Sequence, residues 1–383
     1  MKAFCLISNL VLTILENIML VNKDKNKKKV FVGMSGGVDS SVTALLLKKE
    51  GYDVTGVFMR CYNIDGCAER DAEDARRVAE KLEIPFYVFD FEESYKEKVV
   101  QYMVEGYEKG ITPNPDVACN REIKFGLFLD HALKLGADYI ATGHYVILKK
   151  EDDKFNLYQG KDKNKDQSYF LWTLTQDDLK HSLFPIGEYQ KSEVRNIARE
   201  NEIPVADKKD SQGICFLGDV SIVDFLSDYI PKKTGDVLDT KGNKIGSHEG
   251  AEFYTIGQRH GLDLAEKNKN LKIKGNVKTK PHYVVEKNVK SNVITVAEGK
   301  DNPALFKDNV NLFDVNSISN NPINDIEVMA KIRYRQPTFR AKLKKEGSEF
   351  KLIFKEPQKF IAPGQSAVLY DKNEKMIGGG VIK

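Results

Sequence analysis

The chain has 383 residues, of which 41% are hydrophobic and 30% are charged. This length and composition exclude a wholly disordered or fibrous protein and, at roughly 100 to 200 residues per domain, predict two or three folded domains. The net charge is only +3, so any binding of nucleic acid has to come from local clusters of cations. Five cysteines without compact framework spacing argue against a secreted disulfide scaffold and favour a reducing compartment, the cytoplasm.

The chain begins with an apolar run, LISNLVLTILENIML, that is shorter than the ~20 residues needed to cross a bilayer and that contains Asn9, Glu16 and Asn17. The lysine-rich stretch NKDKNKKK follows it, where a secretory signal would carry small residues for cleavage. We therefore predict that residues 1–28 are neither a membrane span nor a signal. A disordered or mis-started extension is expected, with Met19 as a candidate start.

From residue 29 the sequence alternates between strand and helix patterns. Strands are predicted for KVFVGM, YDVTGVFM, PFYVFDF and DYIATGHYV, and helices for SVTALLLKKEG, AERDAEDARRVAEKLEI and REIKFGLFLDHALKLGA. This alternation predicts an α/β domain over residues 29–219, with a parallel sheet and crossover helices. Ligands of such domains bind at the carboxyl ends of the strands, where the turn SGGVDS is expected.

The turn SGGVDS has the features of an anion cradle. Gly36 and Gly37 allow the backbone to approach a phosphate, and the amides that open the next helix point at it. The turn lacks the Gly-Lys-Ser/Thr ending of a Walker loop, so transfer of a terminal phosphate is not favoured. It resembles the signature of the PP-loop ATP pyrophosphatases, which cleave ATP between the α and β phosphates and adenylate an oxygen of the substrate.

Two cysteines lie in polar segments. TPNPDVACNREIKF places Cys119 before a predicted helix with Asn120 as its N-cap and with Arg121 and Lys124 nearby, a setting that predicts a lowered thiol pKa. Cys215 lies in ADKKDSQGICFLG, a glycine-containing loop that follows two lysines. We interpret Cys119 and Cys215 as a reactive pair.

Motifs along the whole chain carry a more specific resemblance. GMSGGVDSSV, TPNPDVACNREIKF, ADYIATGHY, KDQSYFL, LFPIGEYQKSEVR, PVADKKDSQGICF, YTIGQRHGL, RYRQP and GGGVI occur in this order. Together they resemble the motifs of the tRNA-specific 2-thiouridylase (MnmA) family, which belongs to the PP-loop ATP pyrophosphatase superfamily. The resemblance implies a sulfurtransferase that adenylates O2 of the wobble uridine in tRNAs for Lys, Glu and Gln and then replaces that oxygen with sulfur.

The resemblance also implies roles for the cysteines and the cofactors. Cys215 would carry a persulfide supplied by a cysteine desulfurase or a sulfur-relay protein, and Cys119 would act as the nucleophile, ending in a disulfide with Cys215. ATP and Mg²⁺ are the expected cofactors, with Asp39 as a candidate Mg²⁺ ligand and no resident metal site. Whether Asp116, Cys119 and Cys215 instead hold an iron–sulfur cluster is left open, because thiolates serve either chemistry.

The binding residues follow from the same motifs. The nucleotide site would comprise Gly33, Met34, Ser35, Gly36, Gly37, Val38, Asp39, Ser40, Met59 and Gly143. The target base would meet Asn114, Pro115 and Asp116. Contacts to tRNA would come from His144, Lys165, Asp166, Gln167, Arg333, Tyr334, Arg335, Gln336 and Gln365. A base flipped into a pocket is the expected geometry, since C2 of uridine is inaccessible in a stack.

The remainder of the chain is predicted to contain two further domains. Residues 220–294 are expected to form a small connecting domain, and residues 295–383 a β-barrel that binds tRNA. The runs HYVVEK, VITVAEG, VMAKIRYR, KLIFKEP and AVLYD predict its strands. Between Lys331 and Lys359 there are ten Lys or Arg against three Glu, an excess of +7 that suits RNA phosphates. We expect a monomer.

Some features leave alternatives. Cys61 and Cys67 follow the second strand, where the family has a segment rich in tryptophan and aspartate, and a zinc site there lacks further Cys or His ligands nearby in sequence. A PP-loop ligase, such as a lysidine synthetase or an amidating synthetase, would need no cysteine pair. A non-catalytic tRNA-binding protein would not need an intact SGGVDS together with both cysteines.

Overall fold

The structure is a computed structural model, and it describes residues 27–62, 66–210, 220–264 and 280–383. Nearly all of the predicted extension, and Cys215 with its loop, lie outside the described residues. Within the described part of the chain, no helix is long and apolar enough to cross a membrane.

The strands are β1 (Lys29–Gly33), β2 (Asp53–Arg60), β3 (Phe86–Asp90), β4 (Tyr139–Ala141), β5 (Val146–Glu151), β6 (Lys154–Gln159), β7 (Ser182–Leu183), β8 (Gly235–Asp239), β9 (Lys244–His248), β10 (Asp263–Leu264), β11 (His282–Asn288), β12 (Val293–Glu298), β13 (Phe306–Ser317), β14 (Ile326–Lys331), β15 (Phe339–Glu346), β16 (Glu349–Lys359), β17 (Ser366–Tyr370) and β18 (Met376–Ile382). The helices are α1 (Val38–Lys49), α2 (Cys67–Lys81), α3 (residues 92–108), α4 (residues 115–134), α5 (Gln176–Lys180), α6 (Lys191–Glu200) and α7 (Ile222–Ser227).

The N-terminal part contains the predicted parallel sheet. Its strand order is β3-β2-β1-β4-β7, and every neighbouring pair is parallel. Both faces of β1 are buried, because Val30 and Val32 pack into one core while Phe31 packs into another. Helices α1, α2 and α6 cover the first face, and α3 and α4 cover the second. Such a doubly covered sheet places its binding loops at the carboxyl ends of the strands.

The central part is a separate five-stranded sheet of order β10-β9-β8-β12-β11. Strand β12 pairs with β8 in parallel and with β11 in an antiparallel register. The assignment of HYVVEK and VITVAEG to the barrel is therefore wrong, because both strands complete the central sheet. The predicted boundary between residues 294 and 295 lies inside β12.

The C-terminal part is a closed barrel of order β13-β16-β15-β14-β17-β18. Its core contains aliphatic side chains such as Leu312, Leu343 and Leu352, each at most 1% exposed. Closure pairs every strand with two neighbours, which removes exposed sheet edges and leaves the outer face free for polar side chains. The prediction of an N-terminal α/β domain, a central domain and a C-terminal β-barrel is confirmed.

Candidate active site

The PP-loop connects β1 to α1 and is held in shape by its own serines. The Ser40 hydroxyl accepts a hydrogen bond from the Ser35 amide at 3.1 Å and donates to the Gly37 carbonyl at 3.2 Å. The Ser41 hydroxyl donates to the same carbonyl at 2.8 Å. These bonds fix the turn, and the first amides of α1 have no intrahelical acceptors. The loop is thereby preorganised to accept an anion.

Two glycines of the predicted nucleotide site are required by close packing. Gly36 has φ +70°, and a Cβ there would lie 2.3 Å from the Asp71 carbonyl oxygen of α2. A Cβ on Gly143 would lie 2.8 Å from the Ser40 amide nitrogen. Gly143 follows β4, so the ends of β1 and β4 meet at the start of α1. Met59 joins them from β2, where its Cε would lie 3.0 Å from a Cβ on Gly33.

Asp39, in the first turn of α1, is engaged by two side chains that the sequence did not indicate. The Lys191 ammonium lies 2.8 Å from each carboxylate oxygen, and the Tyr145 hydroxyl donates to Oδ1 at 2.6 Å. Burial, and then the Asp39 charge, raise the pKa of Tyr145, so its hydroxyl stays protonated as a donor. Lys191 is 152 residues from Asp39 in the chain, a separation that local sequence patterns do not reveal.

A second carboxylate, Asp210, gathers three cations beside Asp39. Lys165 contacts it at 2.6 Å, and Lys191 and Arg195 each contact it at 2.8 Å. Burial raises the pKa of Asp210, but hydrogen bonds from Lys165 and Lys191 outweigh this effect and lower it to about 2. Asp210 is therefore ionised at neutral pH. Its ion pairs hold the chain in place just before the segment that contains Cys215.

Lys208 fixes the other side of the loop. Its ammonium donates to the Gly36 carbonyl at 3.1 Å and to Asp71 and Asp74 of α2 at 2.7 Å each. The sequence placed this lysine near Cys215 only by proximity along the chain. The structure places it behind the PP-loop, where it ties the loop to α2.

Cys119 does not precede a helix, and the predicted N-cap at Asn120 is wrong. Helix α4 begins earlier, with Asn114 as N-cap, and the Asn114 side chain accepts from the Val117 amide at 3.3 Å. Pro115 occupies the first turn, where its missing N–H costs nothing. The sequence Asn-Pro-Asp was the signal for this start. Cys119 lies one turn into α4, immediately before a widened segment at Asn120–Leu127.

The environment of Cys119 is also the reverse of the expected one. The side chain is buried, and burial raises the pKa of the thiol above its ordinary value. Lys124 lowers this pKa by a smaller amount, while Asp116 raises it further. The predicted activation by the helix N-terminus is wrong because the thiol lies beyond the first turn and inside the packed face of α4. The thiol is thus mostly protonated in the ligand-free protein at neutral pH.

The segment leading into α4 is a junction of all three parts of the chain, which we call the Thr112 junction (residues 112–113, 255 and 363–365). The Thr112 amide donates to the Pro363 carbonyl at 2.8 Å, and its hydroxyl donates to that of Thr255 at 3.2 Å. Gln365 Nε2 donates to the carbonyls of Thr112 and Pro113 at 2.9 and 3.2 Å. The barrel thereby holds the backbone that ends at the Asn114 cap.

Two of the predicted tRNA contacts are enclosed. His144 is 5% exposed, its Nδ1 lies 2.8 Å from the Thr142 hydroxyl, and burial holds its pKa well below the ordinary value. Asp166 is 3% exposed, and it forms a buried ion pair with Lys331 of β14 at 2.8 Å. Neither side chain reaches the surface in this structure, so the contact of these two residues with tRNA stays a prediction. His144 instead packs against α4, and Asp166 ties the barrel to the α/β domain.

The other predicted tRNA residues are more accessible. Gln167 Oε1 accepts a hydrogen bond from the Tyr145 amide at 3.1 Å, and Gln336 Nε2 donates to Gln358 Oε1 at 3.2 Å. Arg333 donates to the Ile256 carbonyl at 2.8 Å. Arg335 is exposed and lies over the half-buried Tyr334 ring at 5.3 Å, so this pair places a cation on the barrel surface.

Metal ligands are sparse in the described part of the chain, where no group of three or more His, Cys, Asp or Glu side chains could hold an ion. Cys61 is half-buried, and the side chain of Cys67 lies outside the described residues. Mg²⁺ usually binds through one or two carboxylates together with substrate phosphates. The Asp39 carboxylate beside an anion cradle fits that donor set, so Asp39 and the loop amides would hold a magnesium–nucleotide complex.

Curated relatives match this chain over nearly its whole length. The tRNA-specific 2-thiouridylase MnmA of Bacillus subtilis strain 168 is 44% identical over 370 residues, covering 94% of this chain and 96% of the relative. The protein of the same name from Nitrosomonas europaea is 46% identical over 364 residues, covering 93% and 98%. The chain belongs to the MnmA family. Family membership confirms the resemblance drawn from the motifs.

Family models match each part of the chain. They are described as a tRNA methyl transferase HUP domain at residues 28–219, a tRNA methyl transferase PRC-barrel domain at 223–298 and an aminomethyltransferase β-barrel domain at 307–382. Among solved structures, the U34-tRNA thiolase NcsA of Methanococcus maripaludis is 18% identical with a TM-score of 0.35, covering 57% of this chain and 71% of that one.

Proposed function

We propose that this MnmA-family chain is a tRNA-uridine 2-sulfurtransferase that thiolates the wobble uridine of tRNAs for Lys, Glu and Gln. The observation that carries the proposal is the placement of Cys119. Its helix covers one face of the sheet whose carboxyl edge bears the PP-loop, and Phe128 of α4 would lie 3.5 Å from a Cβ on Gly33. We therefore propose that the Cys119 thiol and the anion cradle serve one reaction.

The first step is adenylation. O2 of the uridine attacks the α-phosphorus of ATP, pyrophosphate leaves, and C2 acquires AMP as a good leaving group. The PP-loop amides bind the departing pyrophosphate, and Asp39 would hold a Mg²⁺ ion that would offset its charge. A carbonyl oxygen is a poor leaving group by itself, so this activation is what makes replacement by sulfur possible.

The second step transfers sulfur. The terminal sulfur of a persulfide on Cys215 attacks C2 and displaces AMP, leaving the base joined to Cys215 through a sulfur–sulfur bond. The Cys119 thiolate then attacks the Cys215 sulfur, releasing 2-thiouridine and forming a Cys119–Cys215 disulfide. A dithiol reductant restores both thiols. A cysteine desulfurase or a sulfur-relay protein supplies the persulfide.

The barrel supplies the binding surface for the tRNA. Its excess of cations between Lys331 and Lys359, with Arg335 over Tyr334, suits phosphates and unstacked bases. We propose that the protein acts as a monomer in the cytoplasm, and that Asn114, Pro115 and Asp116 line the pocket for the flipped uridine.

The experiment is a mass analysis of tRNA nucleosides from a strain lacking the gene, with and without a plasmid-borne copy. Loss of 2-thiouridine on deletion and its recovery on complementation support the proposal. The purified chain with ATP, persulfide donor and tRNA should release AMP and pyrophosphate. Formation of lysidine, or release of ADP and phosphate, would contradict the assignment.

A further inference from the structure

Lys191, the first residue of α6, is the cation closest to the PP-loop carboxylate. Its ammonium is 2.8 Å from both oxygens of Asp39 and 2.8 Å from Asp210. The side chain is only 12% exposed. It also lies 5.9 Å from the centre of the Tyr145 ring. Lys191 is therefore held in place on several sides and aimed at the loop.

Lys191 lies in a dense network of charged side chains. Lys165, Lys191 and Arg195 converge on the carboxylates Asp39 and Asp210, and the buried Asp162 carboxylate accepts from the Lys191 amide at 3.0 Å. Buried charges are costly unless they are compensated. The amides at the start of α1 add further positive potential at the same place. An anion bound in the loop would therefore lie beside the Lys191 ammonium and the α1 amides.

We propose that Lys191 is the phosphate-binding lysine of this site, with the di- or triphosphate of a magnesium nucleotide as its ligand; the inference rests on the proposed function. In the ligand-free protein its ammonium neutralises Asp39. When a phosphate enters the loop, the ammonium turns from Asp39 to a phosphate oxygen, and Asp39 would then be available to hold Mg²⁺. A lysine at the end of a Walker loop contacts phosphates directly. Here the equivalent charge comes from a helix far along the chain.

The test measures binding of inorganic pyrophosphate and of ATP to the full chain by calorimetry, in EDTA and in Mg²⁺. Lys191→Met should weaken binding of pyrophosphate in EDTA by about tenfold or more, the loss expected for a charge-assisted contact. Lys161→Met is the matched control. Lys161 pairs with Glu193 of the same helix but is 51% exposed, so its removal should leave binding within about twofold of wild type.

Asp39→Asn separates a ligand role from a merely structural one. It removes the partner of Lys191 while keeping a side chain of the same shape, so binding of pyrophosphate in EDTA should be retained or tightened. The enhancement of ATP binding by Mg²⁺ should be lost. The double variant Asp39→Asn with Lys191→Met removes one charge of each sign and so leaves the net charge of the cluster unchanged, which provides a second variant if Lys191→Met alone folds poorly.

The outcomes are distinct. If the double variant binds pyrophosphate as tightly as Asp39→Asn, Lys191 is only a structural partner of Asp39 and the inference is overturned. A Lys191→Met protein that is folded and binds pyrophosphate like wild type overturns it as well. If the wild-type chain binds neither pyrophosphate nor ATP, the proposed function itself fails.

Discussion

The cations beside the PP-loop and those on the barrel are held in different ways. Lys191 and Arg195 are 12% and 22% exposed, and both are paired with carboxylates. Arg335 and Arg340 are exposed on the barrel. An enclosed charge acts in a low effective dielectric, and its position is fixed before the ligand binds. The interactions of an exposed charge are largely screened by salt beyond about 10 Å.

This difference suits two kinds of ligand. A compact group of phosphates fits a few fixed charges and amides, and its binding should depend on each of them strongly. A tRNA backbone is long and is neutralised by many weak, interchangeable contacts. The comparison therefore predicts large effects of single substitutions in the α/β domain and small, salt-dependent effects on the barrel.

The largest effect is expected for Cys119→Ser. The hydroxyl cannot break the proposed sulfur–sulfur bond, so single-turnover release of 2-thiouridine should fall by about 10³-fold or more. Affinities for ATP and tRNA should stay near those of wild type, because the phosphate cradle and the barrel are unchanged. Rapid-quench assays with filter-binding controls provide the measurement. A variant that still releases 2-thiouridine at the wild-type rate would remove Cys119 from the reaction.

The second-largest effect is expected for the ion pair that connects the barrel to the α/β domain. Lys331→Met leaves the buried Asp166 carboxylate without its cation, which should lower the free energy of unfolding by about 3–5 kcal/mol. Urea denaturation followed by fluorescence reports it, since the single tryptophan, Trp172, donates to the Ser366 hydroxyl of β17 at 3.0 Å. Lys331→Met combined with Asp166→Asn should lose less, because the amide oxygen keeps the backbone donors of Gly160 and Ser168. Equal losses in both proteins would argue against the ion pair as the cause.

A pH series tests the enclosure of Cys119 directly. Burial raises the thiol pKa, so the thiolate is scarce below the ordinary pKa of about 8.5 and keeps increasing above it. Alkylation of the Cys119 peptide by iodoacetamide, followed by mass spectrometry, should therefore rise about tenfold per pH unit up to at least about pH 9. A free cysteine peptide, run in parallel, should level off earlier. A plateau below that of the peptide would restore the expectation of a lowered pKa.

The smallest effect is expected on the barrel. Arg335→Ala with Arg340→Ala should reduce the slope of log K against log salt by about 0.7 to 0.9 per lost phosphate contact. Turnover at saturating tRNA should change little. Lys49→Ala is the control, because Lys49 is equally exposed but lies at the end of α1 away from the PP-loop edge. A double variant that binds tRNA normally at every salt concentration would show that the barrel surface is not the RNA platform.

Much of the fold followed from local patterns. Strands β1 to β4 and helices α1 and α2 were predicted, because burial on both faces of a parallel sheet leaves apolar runs, whereas α3 (residues 92–108) was not predicted. The motifs also placed the PP-loop correctly. The start of α4 was predicted too late, although Asn114 and Pro115 form an ordinary capping pattern. The polar and charged residues that follow Cys119 favoured an N-cap at Asn120 instead.

The remaining errors concern contacts between distant residues. Lys191 reaches Asp39, and Lys331 reaches Asp166, across 152 and 165 positions in the chain. Polar residues in a motif look accessible in a sequence, yet His144 and Asp166 are enclosed once three parts of the chain pack together. Burial, and with it the direction of a pKa shift, depends on tertiary packing that a one-dimensional pattern does not contain.

The Thr112 junction has a consequence for how the protein matures on the ribosome. The barrel loop at residues 363–365 that holds Thr112 is itself paired with β18, since the Gly364 amide donates to the Ile382 carbonyl and the Ile382 amide donates to Gln365, each at 2.8 Å. The backbone before Asn114 therefore acquires its final support only after residue 382 has emerged from the exit tunnel, long after the α/β domain can collapse. Nascent chains that lack β18 would contain the α/β fold, but the start of α4, the helix that carries Cys119, would lack its contact with the barrel. Incomplete translation products are therefore expected not to thiolate tRNA.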